Sequence, residues 1–141
     1  MYRTQRFLLF LFLVLLQVNS AVAGTERFIL DYGDAHFGGY RGEVEIYLKK
    51  ALQENVTEVN VAQYLLRRVV VVARAKHGRG TAQLRIGPEM TRAVDVGQDA
   101  FTIISLENPF KESWGPWRLL LSGNIVLREV TLVVERREMA K

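Results

Sequence analysis

The chain has 141 residues, 49% of them hydrophobic, with 19 Lys and Arg against 15 Asp and Glu for a net charge of +4, and no Cys. That length suits one domain with its own hydrophobic core. The lack of Cys excludes disulfide staples, thiol nucleophiles and Cys-based zinc sites, so packing alone must hold the fold.

The N-terminus sets an address. Arg3 and Arg6 precede an unbroken apolar run, Phe7–Leu16, and the small triplet Ala21-Val22-Ala23 stands before Gly24. This layout predicts a secretory signal peptide over residues 1–23, cleaved near Ala23/Gly24. The run is about half the length a bilayer-spanning helix needs, so no transmembrane segment is expected in the mature chain. No Cys lies near the cleavage site for a lipid anchor. Cleavage would leave residues 24–141 as one domain and take the net charge from +4 to +2 by removing two cations. A nearly neutral remainder gives no electrostatic case for nucleic acid or an anionic membrane. The expected location is the bacterial periplasm or outside the cell.

Arg27–Asp31 reads as a short strand, and Tyr32–Gly42, with four Gly, as a loop. Over Glu43–Glu54 the residues Val44, Leu48, Ala51 and Leu52 make one apolar stripe, which predicts a helix. Val44, Ile46 and Leu48 also alternate, so a strand competes at its start. Asn55–Asn60 is a connector. Val69–Val72 is strongly β-branched, and Val69, Val71, Ala73 and Ala75 would share one face of a strand. Lys76–Gly80 is a turn, after which Ala82, Leu84 and Ile86 alternate with Gln83 and Arg85. These two segments predict an antiparallel hairpin. Gly87-Pro88 ends it.

Thr91–Val96 is a weaker strand, Phe101–Leu106 a firmer one, and Glu107–Pro116 a loop. Trp117–Leu121 is a strand, turned by Ser122–Asn124 into the last one, Ile125–Glu135. Ile125 and Leu127 fall on one face of that strand, but Val130, Leu132 and Val134 fall on the other. Strict alternation cannot bury both sets together, so the spacing predicts a bulge near Arg128-Glu129 or burial on both faces. Residues 136–141 read as a polar tail. Many short strands with Gly and Pro turns and one helix predict a mainly β, antiparallel sandwich.

No catalytic motif emerges. Ser105, Ser113 and Ser122 lack a triad pattern, and His36 and His77 fit no zinc-ligand spacing. Asp31 and Asp34 form D-x-x-D, two carboxylates that a hard cation such as structural calcium would accept. The preference of Asp and Gly for turns accounts for the same residues. The basic stretch Arg67, Arg68, Arg74, Lys76, His77, Arg79 and Arg85 spans the expected hairpin, so several of these residues would share one face. It has no aromatic residues to stack bases, so it reads as solvated surface and no nucleic-acid partner is expected. Two Trp flank Gly115-Pro116. Trp114 and Trp117 on a rigid loop suit sugar rings or protein hot spots, while Trp117 also reads as the start of a core strand. Tyr32, Phe37 and Tyr40 either cover one end of the core or form a binding patch.

The stretch Gly115–Val134, "G-x-W-x-L", a Gly turn and a long apolar strand, resembles the closing strands of jelly-roll sandwiches of the galactose-binding-like kind. The resemblance implies a jelly-roll module without catalysis that binds glycans, lipids or proteins, often with a structural calcium. The resulting expectation is an exported binding or assembly module of the bacterial envelope, not an enzyme. It would use Trp114, Trp117, Tyr32, Phe37 and Tyr40 against a glycan or protein, with no cofactor. The rivals are a small glycan hydrolase built on Asp31, Asp34 and Glu43, and a structural subunit of a secretion or surface assembly.

Overall fold

The computed structural model describes residues 24–38, 43–110 and 113–137. The signal-type segment Met1–Ala23 and Tyr40 lie outside the described residues. Among the described residues nine strands, one α-helix and a 3-10 turn follow in order: β1 (Thr25–Phe37), β2 (Glu43–Tyr47), α1 (Leu48–Asn55), the turn Val61–Gln63, β3 (Tyr64–Ala75), β4 (Gly80–Ile86), β5 (Glu89–Met90), β6 (Val94–Val96), β7 (Thr102–Glu107), β8 (Trp117–Ser122) and β9 (Ile125–Arg136).

Two antiparallel sheets form. The first has the order β1-β9-β3-β7, and the second β2-β8-β4-β5 with β6 also paired to β4. Strands consecutive in sequence thus fall into opposite sheets at β1–β2, β3–β4 and β8–β9. That alternation is the jelly-roll wrap, in which two sheets share one core.

The core lies between the sheets. Leu66, Val69, Val71, Leu127, Leu132 and Ile125 of the first sheet meet Leu84, Leu119, Leu121 and Trp117 of the second, all wholly enclosed. Each enclosed Leu or Ile contributes ~1.5–3 kcal/mol relative to exposure. Leu48 and Leu52 of α1 cover part of the same core.

Where β9 changes parity, it bulges. Glu129 faces Val72 and Leu127 faces Ala73, so Arg128 is an extra residue on β9. The bulge brings Ile125 and Leu127 onto the inner face with Val130, Leu132 and Val134. Val126 and Val133 are buried as well, so β9 is also covered on its outer side. Both anticipated solutions are used. A second bulge was not anticipated. Leu66 faces Val134 and Arg68 faces Val133, leaving Arg67 extra on β3. It lets Leu66 and Val69, of opposite parity, both point inward.

Three further expectations are corrected. β1 continues to Phe37, because an irregularity between Asp31 and Ala35 absorbs the glycine instead of ending the strand. Gly33 and Asp34 take left-handed φ of 58° and 59° there, a conformation that Gly and Asp tolerate best. The expected helix over Glu43–Glu54 begins only at Leu48. Val44 and Ile46 turn inward while Glu43, Glu45 and Tyr47 stay exposed, a period of two that pairs with β8. The expected β3–β4 hairpin does not form, since each strand lies in a different sheet. Alternation says which face is buried and is equally satisfied by two strands facing each other across a core.

At the end of the sandwich where these crossings occur, Gly123 holds φ 90° and its backbone lies close against Arg79, Gly80 and Gly38. A side chain there would strike main chain, so the crossing needs Gly.

A candidate assembly surface

The aromatic residues singled out from sequence do not meet in one place. Trp117 is wholly buried, and its Nε1–H donates to the Ser113 carbonyl at 2.9 Å. Trp114 is 67% exposed, and the Arg137 guanidinium lies 3.8 Å from its ring centre. Lys49 sits 5.0 Å over the Trp117 ring. Burial first, and the charge of Arg137 next, hold its amine below the usual lysine value. Trp114 also lines a shallow cleft of about 210 Å³ with Ile86, Pro88, Glu89 and Phe110.

Tyr32 and Phe37 stack edge to face at 5.9 Å and pack on the core, and burial raises the Tyr32 hydroxyl pKa. Phe37 pairs with Ile125 beside the Ser122–Asn124 turn, whereas Trp117 pairs with Ile86 at the other end of β8. The two aromatic groups therefore occupy opposite ends of the sandwich.

The carboxylates of the D-x-x-D segment are engaged within the fold. Asp31 Oδ1 accepts from the Gly33 N–H at 2.8 Å. Asp34 accepts two hydrogen bonds from the Arg128 guanidinium, at 2.9 and 3.1 Å. Those bonds chiefly, with the charges of Arg128 and Arg74, hold Asp34 below the usual carboxylate value. Arg128 also lies 3.6 Å from the Phe101 ring centre. The bulged residue of β9 thus ties β1 to the loop before β7. Among the described residues no group of three or more His, Asp or Glu is placed to hold a metal ion.

The basic stretch is dispersed because its hairpin does not exist. Arg67, Arg68 and Arg74 belong to the first sheet and Arg85 to the second. Arg67 pairs with Glu135 at 2.7 Å, Arg68 with Glu107 at 3.5 Å and Arg79 with Asp95 at 3.0 Å.

The feature that sequence reasoning missed is the margin formed by β5, β6 and β7. Here the sandwich opens into a cleft of about 410 Å³ between the two sheets. Met90 and Val94 line one lip, and Ser105, Leu106 and Glu107 the other, with Phe110 and Pro109 beside them. Met90, Val94 and Ile103 of this margin are all exposed, Ile103 at 76%. Among the described residues β7 pairs only with β3 and stands at the end of its sheet. In an antiparallel pair every second residue directs both N–H and C=O away from its partner. The six residues of β7 therefore leave about three donors and three acceptors on the open side.

Just beyond β7 the same flank is closed. Asn108 Nδ2–H donates to the Leu66 carbonyl at 2.6 Å, and the Leu66 N–H donates to Ser113 Oγ at 3.0 Å. The opening is confined to β7 itself. A signal for it was present in Thr102-Ile-Ile-Ser-Leu-Glu107, a β-branched strand with no Lys or Pro and one charge, at its end.

No family model matches the chain. No curated protein matches it in sequence. Among solved structures it is similar to the Tobacco streak virus coat protein, with a TM-score of 0.56 and 9% identity over 84% of this chain and 90% of that one. It is also similar to a structure of the Tobacco streak virus coat protein dimer, with a TM-score of 0.52 and 10% identity over 82% of this chain and 88% of that one. At such identity the likeness is one of fold, a jelly-roll sandwich. It overturns the expectation of a glycan- or protein-binding module of the bacterial envelope. Both of these structures, matched along most of their length, are of a viral coat protein, and the galactose-binding-like reading has no support in them. Sequence reasoning erred because its resemblance rested on the last strands, which many sandwiches share. Strand order across both sheets, invisible to periodicity, carries the distinction.

Proposed function

We propose that this chain is a structural subunit of the viral coat-protein kind, a jelly-roll block that works by assembling with copies of itself. The observation that carries this reading is the complete wrap, β1-β9-β3-β7 over β2-β8-β4-β5, in a fold similar to coat proteins over more than four fifths of the chain. The exposed apolar margin at β5–β7 supports it, because an edge of this kind is a surface for pairing with another chain. Among the described residues no helix is long and apolar enough to cross a membrane. The layout of residues 1–23 supports processing to a chain starting at Gly24 before assembly, which N-terminal sequencing of the assembled protein reads directly.

Light scattering with negative-stain imaging tests the reading. The expected result is a mass that rises with concentration above one chain, with closed or repeating particles in the images. A one-chain mass at every concentration, with no particle, overturns it.

A further inference from the structure

We infer that two copies of this chain join edge to edge through β7, antiparallel about a two-fold axis at Ile104. This makes one eight-stranded sheet of the two β1-β9-β3-β7 sheets. The inference rests on the assembly reading and names the surface and partner it leaves open.

The four sheet margins differ in how they meet solvent. β2 is five residues long with Glu43 and Glu45 exposed along it. β5 and β6 are two and three residues long. β1 is long, but it is broken by the Gly33–Asp34 irregularity, and its outward Ile29 stands between exposed Arg27 and Asp31. Charges, shortness and bulges are the usual protections of an edge. β7 has none of them over Thr102–Leu106, and it alone combines regular pairing, six residues and an outward isoleucine.

A second strand can replace water along a whole row of open N–H and C=O groups at once, and an antiparallel edge is complementary to itself about a two-fold axis. The side chains choose the register. With Ile104 facing its own copy, Ile103 faces Ser105 of the second chain on the outer side. The two Ile103 side chains then become diagonal neighbours, about 7–8 Å apart and within packing reach. The two Glu107 carboxylates fall six residues apart along the ladder, about 20 Å at strand spacing. That is beyond the ~8 Å screening length at physiological salt. Pairing centred on Glu107 would instead set the carboxylates face to face and leave both Ile103 uncovered. The apolar lips at Met90 and Val94 lie along the same margin.

A charge introduced on the edge and chemical cross-linking test this together. The chain has no Cys, so single-Cys variants of the full protein give a clean background. Ser105→Cys should be captured as a covalent dimer by a short bis-maleimide, and Arg27→Cys on the β1 edge should not. Ile103→Glu should weaken association at least about tenfold, because each new carboxylate then lies diagonal both to its own copy and to Glu107 of the second chain, and like charges that close repel. Its helix- and sheet-sensitive circular dichroism should be unchanged, since Ile103 is 76% exposed. A multimer that Ile103→Glu leaves intact, or that cross-links at position 27 instead of 105, overturns the β7 contact while the assembly reading stands. A wild-type protein of one-chain mass, with no covalent dimer from either Cys variant, overturns both. The cross-link is read on folded Ser105→Cys protein and so does not depend on the behaviour of the glutamate variant.

Discussion

The β1-β9-β3-β7 sheet has two margins, and they are built oppositely. β1 is twice as long as β7, yet its edge is interrupted by left-handed Gly33 and Asp34 and fenced by Arg27, Asp31 and the Asp34–Arg128 pair. β7 is regular and uncharged over Thr102–Leu106, with Ile103 facing solvent beside an open cleft. The physical lesson is that length does not make an edge adhesive. What matters is whether the unpaired backbone row is continuous and whether charge stands along it.

The largest expected effect comes from removing the device that shapes the guarded margin. Deleting Arg128 abolishes the β9 bulge, so Ile125 and Leu127 must turn outward or the ladder must slip. Exposing two such side chains costs ~3–6 kcal/mol, a large share of a typical domain's stability. Urea unfolding measures it, and a midpoint close to wild type would show that the bulge does not set the inner face.

Next in size is the closure at the end of the open margin. Ser113→Ala leaves the Leu66 N–H buried without its acceptor and should cost ~1–3 kcal/mol in the same assay. A neutral result would mean that the flank beyond β7 is not sealed by Ser113, and the opening would then be wider than β7.

A subtler change tests the guard on β1. Replacing Arg27 and Asp31 with Val places Ile29 in a continuous apolar outward row. Self-association should become stronger than wild type by sedimentation velocity, though modestly, because the Gly33–Asp34 interruption remains. Unchanged sedimentation would assign the protection to the interruption alone.

The smallest effect is electrostatic. Asp34 is held below its usual pKa by Arg128, so its pairing stabilises the fold fully above the unfolded-state carboxyl pKa. That contribution fades as pH falls through the lower folded-state value, below about pH 4. The stability difference between wild type and Asp34→Asn should therefore be present at neutral pH and shrink in acid. A difference that grows on acidification would contradict the pairing.

Much of this architecture was legible from side-chain parity. The inward faces of β3, β4 and β9 follow from alternation, and the conflict between Ile125/Leu127 and Val130/Leu132/Val134 located the Arg128 bulge. The same conflict exists between Leu66 and Val69, and attention to it would have located the Arg67 bulge. Parity is silent on partners, however. It could not say that β3 and β4 face each other across the core, so the basic residues assigned to one face ended on two sheets. The aromatic cues were likewise local. Trp117 was already readable as core, but the distance between Trp114 and the Tyr32–Phe37 pair depends on which end of each strand lies where. The β7 margin was written in its composition but gains meaning only from its position at the end of a sheet.

Hydrogen exchange along the two margins at varied protein concentration tests the central contrast most directly. The account predicts that the outward-facing amides of Thr102–Glu107, about every second one, exchange quickly in dilute solution and become protected as concentration rises, while those in Thr25–Phe37 do not change. Protection that grows on β1, or on neither strand while the mass increases, would contradict it.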